Sequence, residues 1–405
     1  MMEYLFWSLI GLIFYAYVGF TLILLMRSLW QRPVRKADIT PTISLVIVAH
    51  NEAATIGTKL DNALGLEYPM DKLQIIVASD GSDDGTDEIV AGYAERGVQL
   101  LAFPRRGKIP AMNAAVSHAT GDILVFTDAN SLFASGSLAA LVRPFADLSV
   151  GGVAGNQCYS CGSGNAASFG ERMYWAFDRW LKRLGTRAGN VIASTGAIHA
   201  IRRELFQPVP LGIGDDFVLS TRVILQGFRL VFEPGAIAHE STASSDRAEF
   251  QRKVRVIVRG LRGLWVVRGL FNPFRHGFYS LQIFSHKLLR WCVGWLLIAL
   301  FAVSISLSGS IVFYRVALWS QVVFYAAAVA AMILRHTPLV RLRLFRLFSV
   351  PFYFCLANVA AIMAWLQLLT GKRVDVWNSN RQVVSVTTSS VEAGREASLV
   401  NTTSS

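Results

Sequence analysis

Asp128 and Asn130, inside the run Leu-Val-Phe-Thr-Asp-Ala-Asn-Ser from Leu124 to Ser131, are the residues of this chain best suited to holding a cation. Apolar and β-branched residues lead straight into the acid, as in a buried strand that delivers a carboxylate to the carboxyl edge of a sheet. In open α/β sheets that edge is where ligands bind. A carboxylate and an amide carbonyl are hard oxygen donors, suited to a hydrated Mg²⁺ or Mn²⁺ that also holds a diphosphate. Taken alone, Asp-x-Asn-Ser serves equally well as a turn or a helix cap. Other groups give it company. Lys108, after Arg105-Arg106-Gly107, offers a cation to a leaving anion, as does Arg255. Asp215 and Asp216 follow Gly214 at the expected start of a helix, where either acid would also serve as a cap. Asp216 is the candidate general base for an incoming hydroxyl. His239 and Glu240, after Pro234, are further candidates to approach the cation, against the plain reading of an exposed loop histidine.

The elements that must position these groups alternate. Ile43 to Val48, Leu73 to Ala78, Val98 to Phe103 and the run ending at Asp128 read as strands covered on both faces. Helical patterns separate them, from Glu52 to about Leu66 and from Lys108 through His118. Strand–helix alternation with short loops implies right-handed crossovers and a parallel sheet, an α/β domain with its polar residues at the strands' carboxyl ends. Past Gly155 the pattern is weaker. Met173 to Leu184 reads as a helix, Gly162-Ser163-Gly164 as a flexible loop, Phe217 to Gln226 as a helix and Phe228 to Glu233 as a short strand, while Ser194-Thr195-Gly196-Ala197 leads into Ile198 to Arg203.

Composition places this domain beside a membrane. The chain has 405 residues, 53% hydrophobic and 16% charged. No charge occurs from Tyr4 to Met26, long enough to span, and Arg27, Arg32, Arg35 and Lys36 follow. Basic residues after the apolar run describe a retained anchor with its amino terminus outside, where a cleaved signal peptide would have them first. Trp291 to Leu307, Val316 to Leu334 and Leu347 to Leu369 are three further candidate spans, and Arg335, Arg341, Arg343 and Arg346 mark a cytoplasmic loop between the last two. The net charge of +12 lies largely beside these spans, a membrane pattern and not a nucleic-acid face. At about 100° per residue, Arg252, Arg255, Arg259 and Arg262 share one helix face opposite Val254, Ile257, Val258, Leu261, Leu264 and Trp265. That amphipathic helix is expected in the headgroup plane, with a solvated surface helix as the alternative. Arg252 also suits a lipid headgroup. Cys158 and Cys161 form an isolated Cys-x-x-Cys, more in keeping with free thiols in a reducing compartment than with zinc. Val386 to Ser405, rich in Ser and Thr, reads as disordered.

With these motifs in order, the stretch from Ile43 to Val256 and its flanking spans resemble the family 2 membrane glycosyltransferases, which include cellulose, chitin, hyaluronan and poly-N-acetylglucosamine synthases. Val48-Ala49-His50-Asn51-Glu52-Ala53 is similar to the family's opening nucleotide loop. Asp80 matches the acid that contacts the nucleobase, and Gly107-Lys108 with Asn113 the segment near the donor. Asp128-Ala129-Asn130 stands at the Asp-x-Asp metal motif, and Gly214-Asp215-Asp216 at the Thr-Glu-Asp segment whose last acid is the base. Gln251 to Val256 follows the Gln-x-x-x-Arg-Trp pattern. The resemblance implies a Rossmann-like, GT-A type domain and an inverting transfer that uses Mg²⁺ or Mn²⁺. His50, Asn51, Glu52, Asp80, Lys108, Asn113, Asp128, Arg252 and Arg255 would bind the nucleotide sugar, Asp128 and Asn130 the metal, and Gly196 and Asp215 the acceptor. It further implies a nucleotide-sugar donor, most simply a UDP-sugar, a glycan or lipid-linked acceptor, membrane lipid around the chain, and no nucleic acid. The place implied is the bacterial inner membrane with a cytoplasmic catalytic domain.

Two departures stand out: Asn130 replaces an acid, and Val256 replaces the Trp that helps hold the acceptor in processive members. The expected organisation is an anchor over 1–32, the transferase domain over 41–246, interfacial helices over 247–290, about three spans over 291–371 and a tail over 372–405. A polyprenyl-phosphate monosaccharide transferase is the nearest alternative. A transporter or scaffold with a regulatory nucleotide domain fits less well, since no acid occurs between Trp291 and Gly371 to line an ion path. A two-carboxylate glycoside hydrolase would need neither Lys108 nor a metal motif.

Overall fold

The computed structural model describes residues 1–160, 168–241, 246–334, 337 and 345–371. The glycine loop at 162–164, most of the basic stretch from 335 to 346 and the tail from 372 onward, on which expectations were stated above, lie outside the described residues.

An eight-stranded sheet forms the centre, in the order β3-β2-β1-β4-β7-β6-β8-β5. β1 (Ile43–Ala49), β2 (Leu73–Asp80), β3 (Val98–Phe103) and β4 (Ile123–Asp128) pair in parallel, as the alternation of strands and helices requires. β1 is buried along its whole length because helices cover both faces, and this is why it reads as an unbroken apolar run. The other half is β5 (Leu132–Phe133), β6 (Val150–Ser160), β7 (His199–Arg202) and β8 (Arg229–Ser241). β7 runs antiparallel to both β4 and β6, β5 runs antiparallel to β8, and β6 and β8 pair in parallel. The sheet is thus mostly parallel, and the α/β, GT-A-like architecture expected from the sequence is present.

β6 escaped the sequence pattern for a physical reason. It carries Gly151, Gly152 and Gly155 where side chains would normally announce a strand. A Cβ on Gly151 would lie 2.5 Å from Leu205 Cδ1, and one on Gly155 2.6 Å from Ile198 Cγ2. The glycines mark close approach of neighbouring elements, a recognised use of glycine within sheets. β8 runs past Glu233, the expected end, because its register against β6 shifts at Ala154/Asn156, opposite Pro234 and Gly235. A bulge is one of the few places where a sheet tolerates proline.

Among the described residues, four helices are long and apolar enough to cross a membrane: Met2–Leu29, Phe278–Leu307, Val312–Leu334 and Val350–Leu369. The second begins at Phe278, within the stretch expected to lie along the interface. Phe6 and Leu9 of the first pack with Leu300, Val303 and Leu307 of the second. Farther along, Phe20 and Leu24 meet Leu181, Leu184 and Ala188 of the Ser168–Ala188 helix, which joins the first span to the sheet domain.

The basic amphipathic helix exists, over Asp246–Val266, and most of its apolar face is buried within the protein, with Trp265 left exposed. Val254, Ile257, Val258, Leu261 and Leu264 are buried in one cluster with Phe217 and Val218 on one side and Ala360, Ala361 and Ala364 of the last span on the other. Much of the apolar stripe expected to face the headgroup plane is thus covered by the protein itself. The helix is a wedge between the sheet domain and the membrane helices, and the stripe was legible while its covering partner was not.

Candidate active site

The loops at the carboxyl ends of β1, β2 and β4 form one floor. Asn51 adopts a left-handed backbone with φ of 54°, a conformation that asparagine tolerates better than most residues. Its amide locks onto the neighbouring loop: Nδ2 donates to Asp83 Oδ1 at 2.7 Å and Oδ1 accepts from Asp83 N at 3.0 Å. Glu52 N donates to Thr86 Oγ1 at 2.9 Å. His50, Asn51 and Glu52 therefore sit at the β1 edge as expected, with Asn51 acting as a clamp between the loops.

Asp80, expected at the nucleobase, lies at the end of β2 with its carboxylate engaged by the chain itself. Its carboxylate is fully buried and wrapped by the Arg105-Arg106-Gly107 turn. The Arg105 guanidinium pairs with it, while Arg106 N and Gly107 N donate to Oδ1 at 2.8 and 2.9 Å. Gly107 needs its φ of 100° to make this turn, and Lys108 opens the Lys108–Ser117 helix directly after it. Asp80 thus aims Lys108, and a base could reach the carboxylate only by competing with Arg105. Asn113, expected near the donor, likewise has both amide atoms on the Val209 backbone, at 2.9 Å each. It ties down the segment that leads into Gly212.

Lys108 is the hub. Its Nζ lies 2.8 Å from Asp128 Oδ1 and 2.9 Å from Asp215 Oδ2. Burial pulls the ammonium pKa down, but the two carboxylates outweigh it and hold the group above its usual value. The same contact decides Asp215: burial would raise it, and the Lys108 charge keeps it below the ordinary range. Asp216 makes no ion pair among the described residues. Burial, then the adjacent Asp215, push its pKa up to about 6, and Lys108 and Lys287 offset the rise only in part. Neither acid occupies the cap position of the Asp215–Leu225 helix, which is Gly214, and Asp216 Oδ1 accepts from Phe217 N at 2.8 Å. Capping, the bland reading of these acids, is not what they do here.

Asp128 stands at the rim with its second oxygen toward Gly196, where an added Cβ would lie 3.2 Å from Oδ2. The Nδ2 of Asn130 is buried without a hydrogen-bond partner among the described residues. A carboxylate already attracting an ammonium, an amide carbonyl beside it, and a glycine leaving space above form a donor set that fits a hard divalent cation. His239 is exposed on the outer part of β8, whereas Glu240 points inward to Ser131, whose Oγ donates to its Oε1 at 2.8 Å. Arg252 and Arg255 lie half-buried on the wedge helix, one turn apart.

Three groups were missed. His199, fully buried, stacks on Phe126 at 5.2 Å and its Nδ1 donates to the Thr195 carbonyl at 3.1 Å. Burial takes its pKa down to about 4, which leaves a neutral ring beside Lys108 and Asp215. Lys287 holds its ammonium 5.5 Å from the rings of both Phe217 and Trp291, next to the acid pair. Lys59 lies under the Asp128 segment. Of these, Lys59 had a sequence signal: it occupies a core position in the stripe Ile56, Lys59, Leu60, Ala63.

Comparison with known proteins places part of the chain beside a known family. Residues 44–209 match the model of glycosyl transferase family 2. Poly-beta-1,6-N-acetyl-D-glucosamine synthase of Staphylococcus aureus is 27% identical over 217 residues, which cover 52% of each chain. A probable glycosyltransferase of Bacillus subtilis, YdaM, is 26% identical over 53% of this chain and 54% of its own. The chain thus spans about half the length of these relatives. Among solved structures, a mannosyltransferase from Pyrobaculum calidifontis, in complex with GDP-Man and Mn²⁺, superposes with a TM-score of 0.65 at 22% identity. That likeness covers 92% of this chain and all of the other, and it shows a shared fold.

Proposed function

Residues 44–209 being a family 2 glycosyltransferase domain, we propose that the chain is a membrane-bound, inverting hexosyltransferase. It moves a sugar from a nucleotide donor, a UDP-sugar by preference, to a growing polysaccharide or a lipid-linked acceptor. The observation that carries this reading is the Lys108 bridge between Asp128 and Asp215, with Asp216 held protonatable beside it. Asp216 accepts the proton of the acceptor hydroxyl as its oxygen bonds to the anomeric carbon. The bond from that carbon to the diphosphate oxygen breaks on the opposite face. Lys108, aimed by the Asp80 turn, offers its ammonium to the departing diphosphate. Asp128 and the Asn130 carbonyl would hold a divalent metal, Mg²⁺ or Mn²⁺, which when bound would add positive charge there. His50, Asn51 and Glu52 shape the nucleotide floor, Gly196 leaves room over Asp128, and Arg252 and Arg255 close the membrane side.

The four apolar helices and the likeness to a polysaccharide synthase support an integral membrane protein of a bacterial inner membrane, with the sheet domain in the cytoplasm. Val256, 58% exposed where processive enzymes carry Trp, favours one alternative: transfer of a single sugar to a polyprenyl phosphate. The deciding experiment screens nucleotide sugars with the purified protein in lipid. It reads released nucleoside diphosphate and analyses the product by mass. A polymer supports the first reading and a lipid monosaccharide the second. No diphosphate release from any donor would remove both.

A further inference from the structure

The Ala53–Leu64 helix presents a lysine to the core, and that lysine lies beneath the cation site. Lys59 is fully buried. Its Nζ donates to Thr127 Oγ1 at 3.1 Å and to the Ser131 backbone carbonyl, and it stands 4.1 Å from the centre of the Phe133 ring. One ammonium thus ties together both ends of the segment from Thr127 to Ser131, between which lie Asp128 and Asn130. The segment needs such a tie. β4 ends at Asp128 in the middle of the sheet, and β5, the next strand, is two residues long and pairs only at the far edge. One turn along the same helix, Asn62 Oδ1 accepts from Phe133 N and its Nδ2 donates to Phe133 O, each at 2.8 Å, which extends the anchorage.

Charge as well as shape is arranged here. Glu240, buried, accepts from Ser131 Oγ and from Gln157 Nε2, so a carboxylate answers the ammonium through one serine. Taking an ammonium and a carboxylate out of water is costly, and an apolar side chain of similar length would fill the space without that cost. The lysine is therefore retained for what its donors hold. What they hold is the Thr127 hydroxyl on one side of the two oxygen donors and the Ser131 backbone carbonyl on the other.

We propose that Lys59 is the positioning residue of the cation site. It fixes the Thr127–Ser131 backbone so that the Asp128 carboxylate and the Asn130 carbonyl face the donor diphosphate together. Because Asn130 brings no charge, the site depends more on placement than one with two carboxylates does. The inference rests on the reading of Asp128 and Asn130 as metal ligands, and its test separates the two.

Full-length protein in lipid nanodiscs is compared as wild type, Lys59→Met and Lys59→Gln. Mn²⁺ affinity is measured by electron paramagnetic resonance with and without UDP, and amide exchange is followed across residues 127–133. Loss of groups that orient metal ligands typically weakens the metal by 10–100-fold. Lys59→Met is expected to lose about tenfold or more in Mn²⁺ affinity and to exchange faster across this segment, with melting temperature unchanged or raised. Lys59→Gln keeps a neutral donor within reach of the same oxygens, and should recover part of both. It also serves if the Met variant does not fold. Wild-type Mn²⁺ affinity and wild-type exchange in either folded variant would reduce Lys59 to packing and overturn the proposal. Absence of Mn²⁺ binding in the wild-type protein, with UDP present, would instead overturn the cation site itself.

Discussion

Asp215 and Asp216 are neighbours in the first turn of one helix, yet their surroundings drive them in opposite directions. Burial acts on both. The Lys108 ammonium, 2.9 Å from Asp215, reverses its effect on the first acid, while Asp215 reinforces it on the second. Pairs of acids separated in this way commonly divide the labour of acid and base. With Asp216 pushed up to about 6, turnover should rise with pH through that value and level off above it. Asp216→Asn should cost 10²–10⁴-fold in rate, roughly the range for a lost general base, with nucleotide affinity kept.

The same shift has a stability consequence with a definite sign. Asp216 binds its proton more tightly folded than unfolded, so its contribution is fully present below the ordinary value of 3.8 and lost as pH rises through about 6. The Asn variant does not titrate. Its melting temperature should therefore gain on the wild type between about pH 4 and 7, a trend that thermal melts at the two ends check. A gap that stays constant with pH would mean that Asp216 is not strained when charged.

Asp215→Asn should behave differently. Asparagine keeps an oxygen for Lys108 but loses the charge. The difference between a charge-assisted and a neutral hydrogen bond is about 1 kcal/mol, or roughly five- to tenfold in rate. Turnover at that level, far above that of Asp216→Asn, is the expected result. Equal collapse of both variants would place the base elsewhere.

Removing the metal tests the rim. Asp128 brings the charge of its motif, so Asp128→Ala and excess chelator should each abolish turnover. Asn130→Asp adds a second carboxylate where Nδ2 has no partner among the described residues, and should retain activity while tightening Mn²⁺. Full activity in chelator would exclude the metal-assisted route.

How far the sequence led depends on which physical signal each part emits. The parallel half of the sheet was legible because strands buried on both faces are continuous apolar runs, and Ile43 to Ala49 is buried throughout. β6 was not, because Gly151, Gly152 and Gly155 admit neighbours and present no side chains to count. Motif order brought Lys108, Asp128, Asp215 and Asp216 together correctly as neighbours. It did not show the partners of Asp80 and Asn113, Arg105 and Val209, which are set by loop geometry that no spacing rule contains. His199 gave no signal at all: a histidine within Ala-Ile-His-Ala-Ile looks like any half-buried ring until Phe126 is placed beneath it.

The last prediction concerns the wedge helix and whether membrane and site are mechanically joined. Glycine inside a helix costs about 1 kcal/mol relative to alanine, so Gly260 and Gly263 need a reason. At Gly263 an added Cβ would lie 2.8 Å from Phe217 Cδ1, and at Gly260 one would lie 2.4 Å from Trp291 Cη2. The helix therefore rests directly on the residue after Asp216 through one glycine, and on the second span through the other. Gly263→Ala gains helix propensity but must push Phe217, and with it the backbone that carries Asp216. Turnover should fall several-fold while nucleotide affinity and Mn²⁺ affinity, which depend on the opposite side of the site, stay unchanged. Gly309→Ala, where nothing lies within 4 Å of the new Cβ, is the control and should have no effect on rate. Unchanged turnover in Gly263→Ala would show that Phe217 yields without moving the base, and that the wedge only supports the fold.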